Sequence, residues 1–238
     1  MIKKIIVFFL CFYFVVTKNN FAEHSSITWK NSYKSIVRVL PTWPGYKRPG
    51  FGAPPGTAPE GTGIYMNIKE IKNDNSKTNY LITAAHVISN AKRIEIIDYQ
   101  NKRFEAKLIK MDKGRDLALL QAEQSGISAS TNLNQNYIGD HVCVIGNSFG
   151  LGLSFSCGVI SALGRKNIGI NMIEDFIQTD AAVNPGSSGG ALVISTGEII
   201  GMVDAIFTKE ADIDAGVNFA ISNKLIFEFF ETIETKLN

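Results

Sequence analysis

A chain of 238 residues with 45% hydrophobic and 19% charged side chains can bury a sizeable core and is too apolar to stay disordered. Its formal net charge of +2 speaks against a nucleic-acid partner, which needs basic residues gathered on one face. Lys107, Lys110 and Lys113 do lie close in sequence, but Glu105, Asp112 and Asp116 are interleaved with them, as on a solvated strand edge and loop.

Lys3 and Lys4 precede an apolar run from Ile5 to Val16, after which Thr17 to Asn20 are polar. A basic start and a short apolar run read as an export signal over residues 1–22, with cleavage after Ala22. The run is shorter than the roughly 20 apolar residues of a membrane-spanning helix. Because Asn20 is not the small residue usual before such a cleavage point, retention of residues 5–16 as a membrane anchor stays open. Either way the chain is expected to be exported, to the periplasm or beyond, and residues 23–34 form a short N-terminal segment. Removal of the signal leaves Cys143 and Cys157, both in apolar, strand-like surroundings. They are expected as two unpaired buried thiols, although an oxidising compartment would permit a bridge.

From Ser35 to Leu40 apolar and polar residues alternate as in a strand, and the Pro- and Gly-rich stretch from Pro41 to Gly63 reads as a loop holding Trp43, Tyr46 and Phe51. Short strands are then predicted over Gly63–Ile68, Tyr80–Thr83, Arg93–Asp98, Arg103–Met111 and Leu117–Glu123. A polar link, Gln124–Gln135, marks the boundary between a first lobe (residues 35–125) and a second (126–222). The second lobe repeats the pattern at His141–Ile145, Ser154–Leu163, Phe176–Thr179, Gly190–Ile194, Glu198–Ala205 and Gly216–Ile221. Many short strands with frequent Gly or Pro turns indicate an all-β architecture. Over residues 223–238 the pattern changes to a helix that Ser222 would cap, with Leu225, Ile226, Phe229, Phe230, Ile233 and Leu237 at helical spacing.

Three strand-to-loop junctions carry candidate chemistry. Asn184-Pro185-Gly186-Ser187-Ser188-Gly189-Gly190 places a serine hydroxyl among glycines whose backbone can turn sharply and present N–H groups to a developing anion. Taken alone such a segment is as readily a plain Gly/Ser turn. His86 follows Leu81-Ile82-Thr83-Ala84-Ala85, and Asp116 stands just before the apolar run Leu117-Ala118-Leu119-Leu120. A carboxylate at the mouth of a buried strand must be paired or solvated, and an imidazole N–H would satisfy it. Together the three supply a nucleophile, a base and a group to orient that base.

These segments resemble the trypsin-like peptidases and, among them, the HtrA/Deg proteases. The order His, Asp, Ser is that of the chymotrypsin fold, and the resemblance covers about Ser35 to the end. It is densest over Gly146-Asn147-Ser148-Phe149-Gly150-Leu151-Gly152, Gly158 to Arg165, Phe176 to Gly190 and Val217-Asn218-Phe219-Ala220-Ile221. The resemblance implies two six-stranded antiparallel β-barrels with a C-terminal helix and a site in the cleft between them. It implies a serine endopeptidase with His86 as general base and then acid, Asp116 holding its tautomer and Ser188 forming the acyl-enzyme. The N–H groups of Gly186 and Ser188 would form the oxyanion hole. Polypeptides are the implied substrates, with no cofactor or metal, and no Cys/His cluster has zinc spacing.

Further expectations rest on the same resemblance. Ala182 and Val183 on one side, and Ala205 and Ile206 on the other, would line the primary pocket, with no acidic residue at its base and so a preference for cleavage after small aliphatic residues. Asp204 occupies a strand position where a hydroxyl residue commonly supports the catalytic carboxylate. There it either shares that site with Asp116, or turns to solvent or meets a cation. Trp43, Tyr46 and Phe51 lie in the region comparable to the one through which such proteases assemble as homotrimers; they either make that contact or pack back on their own lobe. HtrA proteins usually carry PDZ domains, and none is expected after the terminal helix. A catalytically weak, chaperone-like binding module using the same cleft is the alternative function, disfavoured by a triad with all three members present.

Overall fold

The computed structural model describes residues 20–43, 60–66, 80–123, 126–206 and 216–234. The first barrel is built from β1 (Ile36–Thr42), β2 (Gly61–Tyr65), β3 (Tyr80–Ala84), β4 (Arg93–Ile97), β5 (Arg103–Asp112) and β6 (Leu117–Ala122), closed in the order β1-β2-β3-β6-β5-β4. The second is built from β7 (His141–Gly146), β8 (Ser154–Arg165), β9 (Phe176–Thr179), β10 (Ala191–Ile194), β11 (Ile199–Ile206) and β12 (Asn218–Ser222), closed in the order β10-β11-β12-β9-β8-β7. All neighbouring strands pair antiparallel. Closure leaves no strand edge unpaired, which lets such short strands hold together.

The predicted strands each have a counterpart whose ends agree within two residues, except β2. It begins at Gly61, inside the stretch read as loop, and ends at Tyr65, three residues before the predicted end at Ile68, which lies outside the described residues. In β7, Val142 and Val144 point into the second barrel with Ile160, Ile177, Leu192 and Val203, while Cys143 and Ile145 belong to the larger core that joins the two barrels. That alternation is the period of two that the apolar pattern requires. The predicted C-terminal helix is α3 (Asn223–Glu234) as far as the chain is described. Its Leu225, Ile226, Phe229, Phe230 and Ile233 are buried, and Lys110 Nζ on β5 donates to Thr232 O at 2.7 Å. A helix that leaves the second barrel is thereby fastened to the first. Leu237, Tyr46 and Phe51 lie outside the described residues, and Trp43 is half-buried.

Two expectations change. Helix α1 (Asn20–Ser32) occupies much of what was read as a plain N-terminal segment and runs across the expected cleavage point. It docks through polar atoms: Thr28 Oγ1 donates to Ser195 O, Asn31 Nδ2 to Thr196 O and Ser32 Oγ to Gly197 O. Cys143 and Cys157 are also not free thiols. They stand directly opposite one another on β7 and β8, 4.0 Å apart between Cα atoms, and are joined by a disulfide. Cross-strand register brings the sulfurs within bonding reach, which sequence separation alone does not reveal.

Candidate active site

His86 sits on α2 (Ala85–Ile88), a single helical turn that follows β3 directly. Asp116 ends the turn between β5 and β6 with φ 55, a left-handed conformation that aspartate tolerates better than most residues. There the Asp116 carbonyl accepts from Ala85 N at 3.0 Å, and Oδ1 accepts from His86 N at 2.8 Å. Oδ2 meets His86 Nδ1 at 2.5 Å. Both carboxylate oxygens thus hold one histidine, by its backbone and by its ring. Asp116 is 8% exposed, whereas the His86 side chain remains half open to solvent.

Burial alone would raise the Asp116 pKa. The hydrogen bond from the His86 ring, the positive charge that ring can carry, a bond from Asp204 and the His86 N–H together outweigh it, and hold the carboxyl below the usual aspartate range.

Ser188 arrives from the other barrel, on the loop between β9 and β10. Gly186 and Gly189 have φ 95 and 85, which other residues rarely adopt, and a Cβ on Gly189 would lie 2.0 Å from Thr62 O. Thr62 of β2 fastens the loop across the cleft. Its N–H donates to Ser188 O at 2.9 Å and its Oγ1 to Gly186 O at 2.7 Å, while Thr83 Oγ1 donates to Thr62 O. Ser187 is fully buried and its hydroxyl meets Ser148 Oγ at 2.9 Å, so the two adjacent serines differ sharply in access.

Of the neighbouring N–H groups, Ser187 donates to Asn184 O and Gly190 to Ser187 O within the loop, and Gly189 donates to Val203 O on β11. Among the described residues, the N–H groups of Gly186 and Ser188 take no protein acceptor. The Ser188 hydroxyl donates to Asp204 O at 3.1 Å. Asp204 lies beside Asp116 and His86, with a carboxylate oxygen or ring nitrogen of each within 4.8 Å of the others. Asp204 is 3% exposed, which removes the solvent-facing alternative.

Of the residues expected around the primary pocket, Ala182 is half-buried and its carbonyl accepts from Ser156 Oγ at 2.7 Å. Val183 packs in the core of the second barrel. The side chains of Ala205 and Ile206 lie outside the described residues, although their backbone belongs to β11. Sequence reasoning did not single out Thr62, Glu60, Asn171 or Glu174. The Gly61-Thr62-Gly63 run was the available signal for the first, since a Cβ on Gly61 would lie 2.5 Å from Val87. Glu60 accepts from Asn147 Nδ2 at 2.7 Å, a pairing of distant loops with no local signature.

Comparison with known proteins agrees with this geometry. A family model described as the trypsin-like peptidase domain matches residues 61–202. "Serine endoprotease DegS" of Haemophilus influenzae is 41% identical over 150 residues, 61% of this chain and 44% of that protein. "Periplasmic pH-dependent serine endoprotease DegQ" of Escherichia coli is 40% identical over 157 residues, 63% of this chain and 34% of that protein. "Probable serine protease do-like" of Buchnera aphidicola is 40% identical over 158 residues, 64% of this chain and 32% of that protein. The match therefore spans less than half the length of these curated relatives. A solved structure titled "HtrA-type protease AlgW with tripeptide" superposes with a TM-score of 0.74 at 31% identity, covering 88% of this chain and 63% of that one. With a family model matched over more than half its length and HtrA/Deg proteins among its relatives, the chain belongs to the trypsin-like peptidase domain family.

Proposed function

We propose that the chain is a serine endopeptidase that cleaves exported polypeptides through an acyl-enzyme. The observation that carries this reading is the grip of Asp116 on His86 at the mouth of a cleft into which the other barrel brings Ser188. In this reading Ser188 Oγ attacks the scissile carbonyl and His86 Nε2 takes its proton, then returns it to the leaving amine. Water repeats the sequence on the ester. Asp116 accepts from Nδ1–H throughout, fixing the tautomer that leaves Nε2 basic. The N–H groups of Gly186 and Ser188 receive the oxyanion. Rotation of the Ser188 hydroxyl about χ1 releases Asp204 O and turns it to His86, a tightening expected when substrate binds.

Ala182 lies at the base of the primary pocket in this reading, with Val183, Ala205 and Ile206 beside it. An entering Arg or Lys would find no carboxylate there, and an unpaired buried charge costs several kcal/mol. An aliphatic side chain gains about 0.8 kcal/mol per buried methylene. Cleavage is therefore proposed after Val, Ile, Ala and similar residues, in the periplasm that the names of several relatives specify. Assembly as a homotrimer belongs to the same reading.

Digestion of an unfolded protein such as reduced casein, with every cut mapped by mass spectrometry, tests the proposal. Cuts after small aliphatic residues, absent with Ser188→Ala, are expected. Dominant cuts after Arg or Lys would overturn the pocket, and cuts retained by Ser188→Ala would overturn the nucleophile.

A further inference from the structure

Gly186 and Ser188, whose N–H groups receive the oxyanion in the proposed reading, share one neighbour across the cleft. Thr62 of β2 takes the carbonyl of each. Its N–H donates to Ser188 O at 2.9 Å and its Oγ1 to Gly186 O at 2.7 Å. The same Oγ1 accepts from Asn147 N at 2.9 Å, so the hydroxyl has its single hydrogen committed to Gly186 and an acceptor site filled by Asn147. Thr62 O in turn accepts from Thr83 Oγ1 at 2.7 Å. Thr62, Thr83 and Asn147 are all fully buried, where water does not compete for these bonds.

Gly186 is the place that needs such a hold. It has φ 95, and a Cβ there would lie 2.3 Å from Asn147 O, so the position requires glycine. A glycine backbone is also the freest to rotate, and the direction of its N–H follows the peptide planes on either side. The plane before Gly186 is held by Phe149 N, which donates to Pro185 O at 2.6 Å. The plane after it is held at both ends, by Thr62 Oγ1 on Gly186 O and by Asn184 O, which accepts from Ser187 N at 2.9 Å. Of these three bonds, only the one from Thr62 comes from the first barrel. Oxyanion donors act by being fixed in advance, and a hydrogen bond weakens steeply once its N–H swings off line.

We propose that Thr62 is a positioning residue for the oxyanion hole: its hydroxyl locks the backbone at Gly186 and its N–H locks it at Ser188, so that both N–H groups face one point in the cleft. The proposal rests on the serine endopeptidase reading with Gly186 and Ser188 as oxyanion donors, and gives Thr62 no contact with substrate. Strand β3 then sets the base and the oxyanion donors together. It holds Thr62 through Thr83 and leads directly into the turn that carries His86.

The test measures kcat and KM for a peptide substrate, and inhibition by a boronic acid of the same peptide sequence, with the full chain and its Thr62→Val, Thr62→Ser and Thr62→Ala variants. The boronic acid forms a tetrahedral adduct on Ser188 and draws on the same two N–H groups. Valine keeps the shape of threonine without the hydroxyl. Outright loss of an oxyanion donor costs about 10²–10³ in kcat, so misplacing one in T62V is expected to cost about tenfold or more. KM should change little, as when an interaction made only in the transition state is lost, and affinity for the boronic acid should fall by a similar factor. T62S keeps the hydroxyl and should recover most of both. Far-UV circular dichroism checks folding. T62A leaves space for a water between Asn147 N and Gly186 O, which keeps the test decisive if T62V does not fold. It too should lose kcat and boronic acid affinity together. Native kcat in T62V or, should T62V not fold, in T62A would overturn the proposal. So would a loss confined to KM, a lowered kcat with native boronic acid affinity, or T62S as impaired as T62V. Failure of this proposal alone leaves Ser188→Ala inactive, whereas an active Ser188→Ala protein would remove the reading beneath it.

Discussion

Asp116 concentrates the demands of the site on one side chain. It adopts a left-handed backbone, uses both oxygens on His86 and lies beside Asp204, all at 8% exposure. Its folded pKa is depressed, so the stability it contributes is present above the ordinary aspartate value of about 4 and is lost as pH falls through the folded value. Asp116→Asn removes both this linkage and the fixed tautomer. Its kcat should fall by about 10⁴-fold at neutral pH, as for loss of the orienting acid in such a triad. Its urea midpoint should decline less than that of the native chain between roughly pH 5 and pH 2. Native-like turnover, or parallel pH dependences, would contradict this account of Asp116.

Among the elements, the loop between β8 and β9 shows how an exposed segment can be kept in one shape. Glu174 Oε2 accepts from Ile168 N at 2.7 Å, and Oε1 accepts from Ile170 N at 2.7 Å and Asn171 N at 3.0 Å. Ile173 N reaches Gly114 O at 2.9 Å, in the turn that ends at Asp116. Charge-assisted bonds of this kind are the stronger ones. Glu174→Ala should therefore speed hydrogen exchange at Ile168, Ile170 and Asn171 by roughly tenfold or more. Unchanged protection would show that the loop is held by something else.

The same scale separates what the sequence discloses from what it hides. The strands were legible because burial on one face imposes a period of two, and α3 because its buried residues recur at helical spacing. Helix α1 was not, since its contacts among the described residues include those of the Thr28 and Ser32 hydroxyls with carbonyls of the β10–β11 turn and of Trp29 with Phe155, which leave no helical period to read. The disulfide was hidden for a different reason. Cys143 and Cys157 become neighbours only through the β7–β8 register.

At the scale of the molecule, the candidate site exists because two barrels meet. The first supplies His86, Asp116 and the Thr62 clamp, and the second supplies Ser188 and Asp204. Helix α3 straps them together through Lys110 and through Arg115, whose guanidinium lies 3.5 Å from Glu228. His86, Asp116 and Ser188 were legible as motifs in order. Asn171 and Thr62 were not, because their partners are brought near only by barrel closure. The central claim is that this meeting makes one serine nucleophilic. Labelling the full chain with a serine-reactive fluorophosphonate and locating the adduct by mass spectrometry tests it most directly. The account predicts an adduct on Ser188 that disappears in His86→Ala, since the activating base is then gone. An adduct on buried Ser187, or labelling of Ser188 that persists undiminished without His86, would contradict it.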